Sequence, residues 1–372
     1  MIYLDNAATS FPKPAGVSDR MKYYLDCVGA NVNRSVYTAA QEAGLVTLTL
    51  RQRLARLFDF PEPPTHVILT PGATAGLNMI VSGLLRPGDH CIVSSMEHNA
   101  VMRPLLRLPG VAVSRIPCDA EGFADLDALP GLFREDTRLV IMAHGSNVCG
   151  AVQDAAAIGR ICAEKGVPFA LDAAQTAGHL PVDFQAFGLS AMAVPGHKGL
   201  LGPQGTGLLL CAQPGKPLLF GGTGTLSREK TMPEDLPERL EAGTVNVPGA
   251  AGLAAGLRLV RSLTPEKIFA AGHGQTMACA RGLKALGYRV FSGPDQAMTV
   301  SFQGRADCEE IAEFLGSRGI AVRAGLHCAP LAHESAGTLD RGTVRVSFGH
   351  DASPAQTRAL LEALGEWKMR KG

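Results

Sequence analysis

Two stretches constrain this chain most: Val167-Pro-Phe-Ala-Leu-Asp172-Ala-Ala-Gln175 and, further on, Ala193-Val-Pro195-Gly-His197-Lys198-Gly199. Each begins as a short apolar run of strand type and ends in polar residues, the way an α/β sheet presents chemistry at the carboxyl edges of its strands. The pattern recurs upstream. His66-Val-Ile-Leu-Thr70 runs into Pro71-Gly72-Ala73-Thr74-Ala75-Gly76, Cys91-Ile-Val-Ser-Ser into Glu97-His98-Asn99, and Leu139-Val-Ile-Met-Ala into His144-Gly-Ser-Asn147, with a further strand over Ala112–Ile116. Strand, polar tip and helix alternate to about residue 210, which predicts a mainly parallel sheet covered by helices.

The tips carry the chemistry. The first stretch offers a carboxylate and an amide, the second an imidazole and an amine. A lysine held near a buried aspartate is what a pyridoxal phosphate enzyme needs: the amine forms a Schiff base with the cofactor aldehyde, and the carboxylate keeps the pyridine nitrogen protonated. Taken singly, an Asp at a strand end is often a helix cap and a Gly-His-Lys-Gly segment only a turn. The small-residue turn after Thr70, ahead of a helix over Leu77–Val81, lets backbone N–H groups approach a phosphate.

Of the 372 residues 46% are hydrophobic and 19% charged, with a net charge of +1, a soluble globular composition long enough for two domains. The near-neutral balance gives no reason to expect nucleic acid or an anionic membrane as partner. No basic leader and no apolar run of membrane-spanning length is seen, so a cytoplasmic enzyme is expected. The nine cysteines show no disulfide framework or zinc spacing, and most, such as Cys91 and Cys162, read as buried small hydrophobes. Cys328 differs: it follows a strand, in Arg323-Ala-Gly-Leu-His327-Cys328-Ala-Pro330, within a polar loop where a thiol can meet solvent and ligand.

Along the rest of the chain, Tyr3–Ser10 reads as a short strand entering an extended arm, with Pro12 and Pro14 preventing an immediate helix. Helices are expected over Val17–Asp26 and Thr38–Phe58. In the second, Val46, Leu50, Leu54, Leu57 and Phe58 face the core, and Arg51, Arg53 and Arg56 take other faces. Gly29–Arg34, with Asn31 and Asn33, is a loop. Phe220–Thr244, rich in Gly, Pro and charge, is a long functional loop. Beyond it come a helix opened by Thr264-Pro265-Glu266, a strand over Met298–Phe302, a helix capped by Asp307, a strand over Ile320–Arg323, the Cys328 loop, a strand over Thr343–Phe348, and a last helix from Ser353 with a capping box closed by Gln356. This predicts a large α/β domain over 16–257 and a smaller α+β domain from 1–15 with 258–372.

Read together, Tyr3-Leu-Asp-Asn-Ala-Ala-Thr9, Glu97-His-Asn-Ala100, His144 to Asn147, Asp172 to Gln175, Gly196-His-Lys198, Glu241-Ala-Gly-Thr244 and Arg323 to Cys328 resemble, in order, the motifs of the cysteine desulfurase and selenocysteine lyase branch of the class V aminotransferases. The resemblance implies fold type I with a mainly parallel seven-stranded sheet, pyridoxal 5'-phosphate as cofactor and a homodimer. It implies Lys198 as the Schiff-base lysine and proton carrier, Asp172 on the pyridine nitrogen, Gln175 and Asn147 at the phenolic oxygen, and His98 stacked on the ring. The phosphate would sit on Ala73-Thr74 and His197, completed by Thr244 of a second subunit. Ala8, Asn147 and Arg345 would bind substrate, the last as a bidentate clamp on the α-carboxylate. Cys328 would take sulfur from L-cysteine as a persulfide, leave L-alanine, and pass the sulfur to an acceptor protein, its short loop from Leu326 to Thr338 resembling the Suf-type branch. Pro195 stands where many relatives carry Ser, and Ala75-Gly76 where they often carry Thr-Glu, which alters the phosphate cup.

Attack by Cys328 requires a thiolate, which a nearby imidazole or helix terminus would favour. His327 is adjacent, yet neighbours on an extended segment point to opposite sides, so it takes no role. A selenocysteine lyase or other C–S lyase, in which Cys328 is not obligatory, is the first alternative. A catalytically silent scaffold is the second. A metal site at His327, Cys328 and His333 matches no zinc spacing. Substrate preference, acceptor and pathway, iron–sulfur cluster assembly included, stay open at this level.

Overall fold

The computed structural model describes residues 1–32 and 36–371, so Asn33 and Arg34 of the expected loop lie outside the described residues. The elements run β1 (Ile2–Tyr3), α1 (Val17–Tyr23), α2 (Thr38–Leu57), β2 (Val67–Thr70), α3 (Ala73–Leu84), β3 (His90–Ser94), α4 (Asn99–Arg107), β4 (Ala112–Ile116), β5 (Thr137–Ala143), α5 (Ala155–Glu164), β6 (Phe169–Asp172), β7 (Ala191–Pro195) and β8 (Gly207–Cys211). There follow α6 (Val247–Leu263), α7 (Pro265–Ala285), β9 (Arg289–Phe291), β10 (Thr299–Gln303), α8 (Cys308–Ser317), β11 (Ile320–Ala321), β12 (Arg323–Gly325), α9 (Pro330–Ala336), β13 (Thr343–Ser347) and α10 (Pro354–Lys371). Among the described residues no helix is long and apolar enough to cross a membrane.

The central sheet has seven strands in the order β2-β8-β7-β6-β5-β3-β4. Only β8 runs against its neighbours, and the pairs from β7 to β4 are parallel. Parallel strands are buried on both faces, and side chains alternate accordingly. Ile92, Val140, Met142 and Leu171 pack with Leu50 and Leu54 of α2, Ile158 of α5 and Leu253 of α6. Cys91, Val93, Leu139, Ile141 and Ala170 pack with Leu77 and Ile80 of α3 and Val101 and Leu105 of α4. The chain order reverses between β3 and β5, where an open α/β sheet leaves a crevice at its carboxyl edge.

A second, four-stranded antiparallel sheet, β12-β13-β10-β9, carries its own core of Val300, Phe302, Val344 and Val346 against Ile311, Leu315, Leu360 and Leu364. The N-terminal arm belongs with it: β1 pairs with β11, and Leu4 is buried in the same core. The expected strand over Ile320–Arg323 is therefore two short strands in different sheets.

Two further expectations are corrected, and one helix that the sequence reading did not place is added. The helix α6 lies in a stretch whose Gly249, Gly252, Gly256 and Pro248 read as breakers. It forms because Asn246 caps it and the small residues let it lie against the chain at 200–203; a Cβ on Gly256 would stand 2.7 Å from the Leu200 and Leu201 backbone. The helix after Thr70 begins at Ala73, so Ala73 and Thr74 are its first residues rather than a preceding turn. Arg51, expected on a face away from the core, is buried, and its guanidinium donates to both oxygens of Glu241 at 2.8 Å. Glu241 also accepts from Leu69 N–H, tying the long 212–246 segment to β2.

Removing one partner of a buried ion pair strands the other charge. Arg51→Met is expected to lower unfolding free energy in urea by about 3 kcal/mol, and adding Glu241→Gln, which discharges the acid but keeps an acceptor for Leu69, to recover most of it.

Candidate active site

A cavity of about 460 Å³ opens at the carboxyl edge of the large sheet, lined among others by Thr74, His98, Asn147, Asp172, Gln175 and Lys198. Five strand tips deliver them: β2 leads to Thr74, β3 to His98, β5 to Asn147, β6 ends in Asp172, and β7 ends in Pro195, just ahead of Gly196-His197-Lys198. The structure thus brings together all the expected cofactor residues except Thr244. That residue is exposed on the long segment and lies outside this cavity in its own chain.

The turn bearing Lys198 is held by backbone bonds from Gly196 N–H to Thr206 C=O and from Gly202 N–H to Gly196 C=O, at 2.8 and 2.7 Å. The His197 carbonyl accepts from Ser10 N–H at 3.0 Å and from Lys13 Nζ at 2.8 Å, while the His197 Nδ1 lies 3.1 Å from Thr9 Oγ1. Lys13 was missed in the sequence; the only signal was a lysine set between Pro12 and Pro14. Burial pushes the Lys198 amine down to about 8, against the pull of Asp172, with Arg345 and Arg323 adding to the fall. Burial likewise raises Asp172, offset by the Ala174 N–H, which donates to it at 2.9 Å, and by Lys198. His98 caps α4, its Nδ1 accepting from Ala100 N–H at 3.0 Å. Burial, then Lys198, hold it down to about 4, so its ring is neutral at pH 7. Beneath it, Glu97 is fully buried and accepts from Ser94 Oγ and Ala143 N–H, locking the β3 tip to the β5 tip; burial raises it to about 7.

The small sheet brings the remaining groups. Arg345 is 1% exposed; its Nη2 donates to Asp5 Oδ1 at 2.7 Å and its Nη1 to the Asn147 carbonyl at 3.0 Å, leaving a buried Nε without an acceptor. Arg323 stands directly across the strand pair from it. The arm enters here too: Ser347 Oγ accepts from Ala7 N–H, and the Ala7 carbonyl, next to Ala8, accepts from the Gln175 amide at 3.2 Å.

Cys328 is exposed and lines a groove that shares Thr74 and His98 with the main cavity. Cys27 is exposed as well, so exposure alone does not single Cys328 out. The extended segment expected from the sequence is corrected here. His327 and Cys328 both adopt left-handed backbone, with φ of 50° and 59°, and the downstream loop folds into α9. Asn147 Nδ2 donates to the His327 carbonyl at 2.6 Å, Asn99 N–H to the Cys328 carbonyl at 2.8 Å, and His327 Nε2 lies 3.0 Å from Thr343 Oγ1. Burial drives the His327 imidazole down to about 2, so it stays neutral and is no cationic partner for the thiol. Among the described residues no cluster suited to a metal is found.

A strand-edge cavity with a depressed lysine amine, a buried aspartate and the free N–H groups that open α3 fits an aldehyde, a ring nitrogen and a phosphate, which is the donor set for pyridoxal 5'-phosphate. The class so defined is the pyridoxal-phosphate enzymes of fold type I, and the chain belongs to the class-V aminotransferase family, whose model matches residues 2–360. Its relatives are named cysteine desulfurases. A probable cysteine desulfurase of Methanothermobacter thermautotrophicus is 33% identical over 98% of this chain and 94% of that protein. The cysteine desulfurase CsdA of Escherichia coli is 32% identical over 98% and 92%. The apo structure of a cysteine desulfurase from Thermococcus onnurineus superposes with a TM-score of 0.91 at 30% identity, covering 98% of this chain and 94% of that one.

An amine must be unprotonated to capture an aldehyde. Reconstitution of the apo-protein with pyridoxal phosphate, followed by absorbance, is therefore expected to accelerate as pH rises through about 8 and to level off above it. A midpoint near the ordinary lysine value contradicts the buried-amine account.

Proposed function

We propose that the protein is a cysteine desulfurase, taking sulfur from L-cysteine, releasing L-alanine and holding the sulfur on Cys328 for an acceptor. The observation that carries this reading is an exposed cysteine, fixed in left-handed backbone by Asn147, Asn99 and Thr343, at the rim of the cavity that holds Lys198 and Asp172. Bound pyridoxal phosphate supplies an electron sink that loosens the bonds at the substrate Cα and lets the Cβ–S bond break.

This chain's residues do the rest. Lys198 Nζ would hold the cofactor aldehyde and, when free, would carry the substrate Cα proton, a task suited to an amine depressed to about 8. Asp172 would keep the ring nitrogen protonated, and His98, neutral in the same cavity, would pack against the ring. Asn147 and Gln175 would bind the phenolic oxygen, while Ala73, Thr74 and His197 would hold the phosphate. Arg345, bonded to the Asn147 carbonyl and held in place by Asp5, would take the α-carboxylate, with Asn147 and Ala8 of the N-terminal arm completing the substrate site. The Cys328 thiolate attacks the substrate sulfur: an S–S bond forms, the Cβ–S bond breaks with its electron pair left on the carbon side, and Cβ is protonated as alanine leaves.

We take residues 16–257 as the cofactor-holding unit and 1–15 with 258–372 as the unit bearing Arg345 and Cys328. The protein works as a homodimer in which the exposed Thr244 reaches the neighbouring phosphate site. Nine free cysteines support a reducing, cytoplasmic setting.

With a thiol reductant present, wild type is expected to make alanine and sulfide from L-cysteine in equal amounts and Cys328→Ala essentially neither. Retention of activity by the variant, or its loss on cysteine with selenocysteine spared, moves the assignment to a C–S or selenocysteine lyase. Sedimentation of the holoenzyme should give a dimer; an active, fully loaded monomer removes the role given to Thr244.

A further inference from the structure

Beside Cys328 runs an open groove of about 300 Å³ lined by Asn78 and His98 and, from α4, by Arg103 and Arg107. The two arginines are exposed and stand four residues apart, on one face of the helix. Neither has an ion pair or hydrogen bond among the described residues, and the acid carried by α9, Glu334, is already paired with Arg115 at 3.5 Å. Leu106, next to Arg107, is 71% exposed, and Leu326, two residues before Cys328, is 38% exposed. A free anionic thiol would use the charges and leave the leucines in water; a protein surface uses both.

We propose that this groove docks the sulfur acceptor, and that the acceptor is a protein presenting its cysteine on a loop flanked by Asp or Glu side chains that meet Arg103 and Arg107. The inference rests on the desulfurase reading and names the partner of that site. In the transfer, the acceptor thiolate attacks the outer sulfur of the Cys328 persulfide. A bond forms between the acceptor sulfur and that outer sulfur, the S–S bond to Cys328 breaks, and its electron pair stays on Cys328 as thiolate. The proton given up by the acceptor thiol passes to solvent or to Cys328, and nothing is oxidised or reduced overall.

The test loads the holoenzyme with sulfur from L-cysteine in a single turnover, then offers the peptides Glu-Glu-Cys-Glu-Glu, Gly-Gly-Cys-Gly-Gly and Lys-Lys-Cys-Lys-Lys, and glutathione, and follows peptide persulfide by mass spectrometry. The acidic peptide is expected to outpace the basic one by about tenfold at low salt, an advantage that shrinks as ionic strength rises. Flanking carboxylates raise the peptide's own thiol pKa and slow it, so a preference for the acidic peptide reports the groove. In R103E/R107E the preference should vanish or invert, while alanine formation with dithiothreitol stays at the wild-type rate; R103Q/R107Q, milder for α4, should lose the preference without inverting it. Rates independent of peptide charge, or a preference that survives in both variants, overturn the proposal. Glutathione matching the acidic peptide also overturns it, by assigning the groove to a small thiol. Failure of the wild type to form alanine with dithiothreitol is visible before any peptide is added and removes the desulfurase reading itself.

Discussion

The Lys198 amine and the Asp172 carboxylate are held in one cleft with little water, and much of the fold serves to make that tolerable. Taking a charge out of water costs several kcal/mol unless partners replace the solvent. Here Asp172 gains the Ala174 N–H, a backbone group freed where β6 ends, and Lys198 gains the charge of Asp172 itself, both at the carboxyl edge of the sheet. The replacement is incomplete: the lysine yields part of its basicity, and the aspartate part of its acidity. The same edge carries cations from the small sheet, Arg345 and Arg323, against Asp5 and a Glu97 whose carboxyl burial raises to about 7. The cleft is thus left with a positive surplus, suited to a cofactor phosphate and a substrate carboxylate.

The cysteine loop solves a different problem. Left-handed backbone at a residue with a side chain costs on the order of 1–3 kcal/mol, and this loop sustains it twice in succession. Three elements hold it: the β5 tip through Asn147, β13 through Thr343 and the start of α4 through the Asn99 amide. Asn147 touches both the cavity and the loop, so one side chain couples the place where the C–S bond breaks to the place where the sulfur is received. A loop so braced presents its thiol at a fixed point on the surface.

Much of this was legible in the sequence, because strand alternation and polar tips are local signals. The mainly parallel sheet with its polar tips follows from reading where apolar runs stop, while the seven-strand count and the joint roles of His98, Asn147 and Gln175 came from the family resemblance. Features set by distant contacts were not legible. The α6 sequence is rich in helix breakers and becomes helical because its glycines fit against 200–203. Arg51 looks like a solvent-facing arginine until Glu241, far along the chain, is placed beside it. The backbone at Cys328 could not be read, since no glycine marks that left-handed turn and it is imposed by hydrogen bonds from three other elements. Thr244 stands apart from the cavity within its own chain, and the motif that carries it says nothing of distance.

The N-terminal arm has a consequence for how the molecule is made. Residues at positions 2–7 pair with β11 and with Ser347, whereas Ser10 and Lys13 grip the carbonyl just before Lys198. Residues 2–13 therefore find their place only after β11 and β13, far along the chain, have been synthesised. Such long-range closure slows folding. The large sheet can assemble on its own neighbours meanwhile, but the lysine turn stays unbraced until this arm has docked. The site is thus finished last, and cofactor capture becomes a natural report of completed folding.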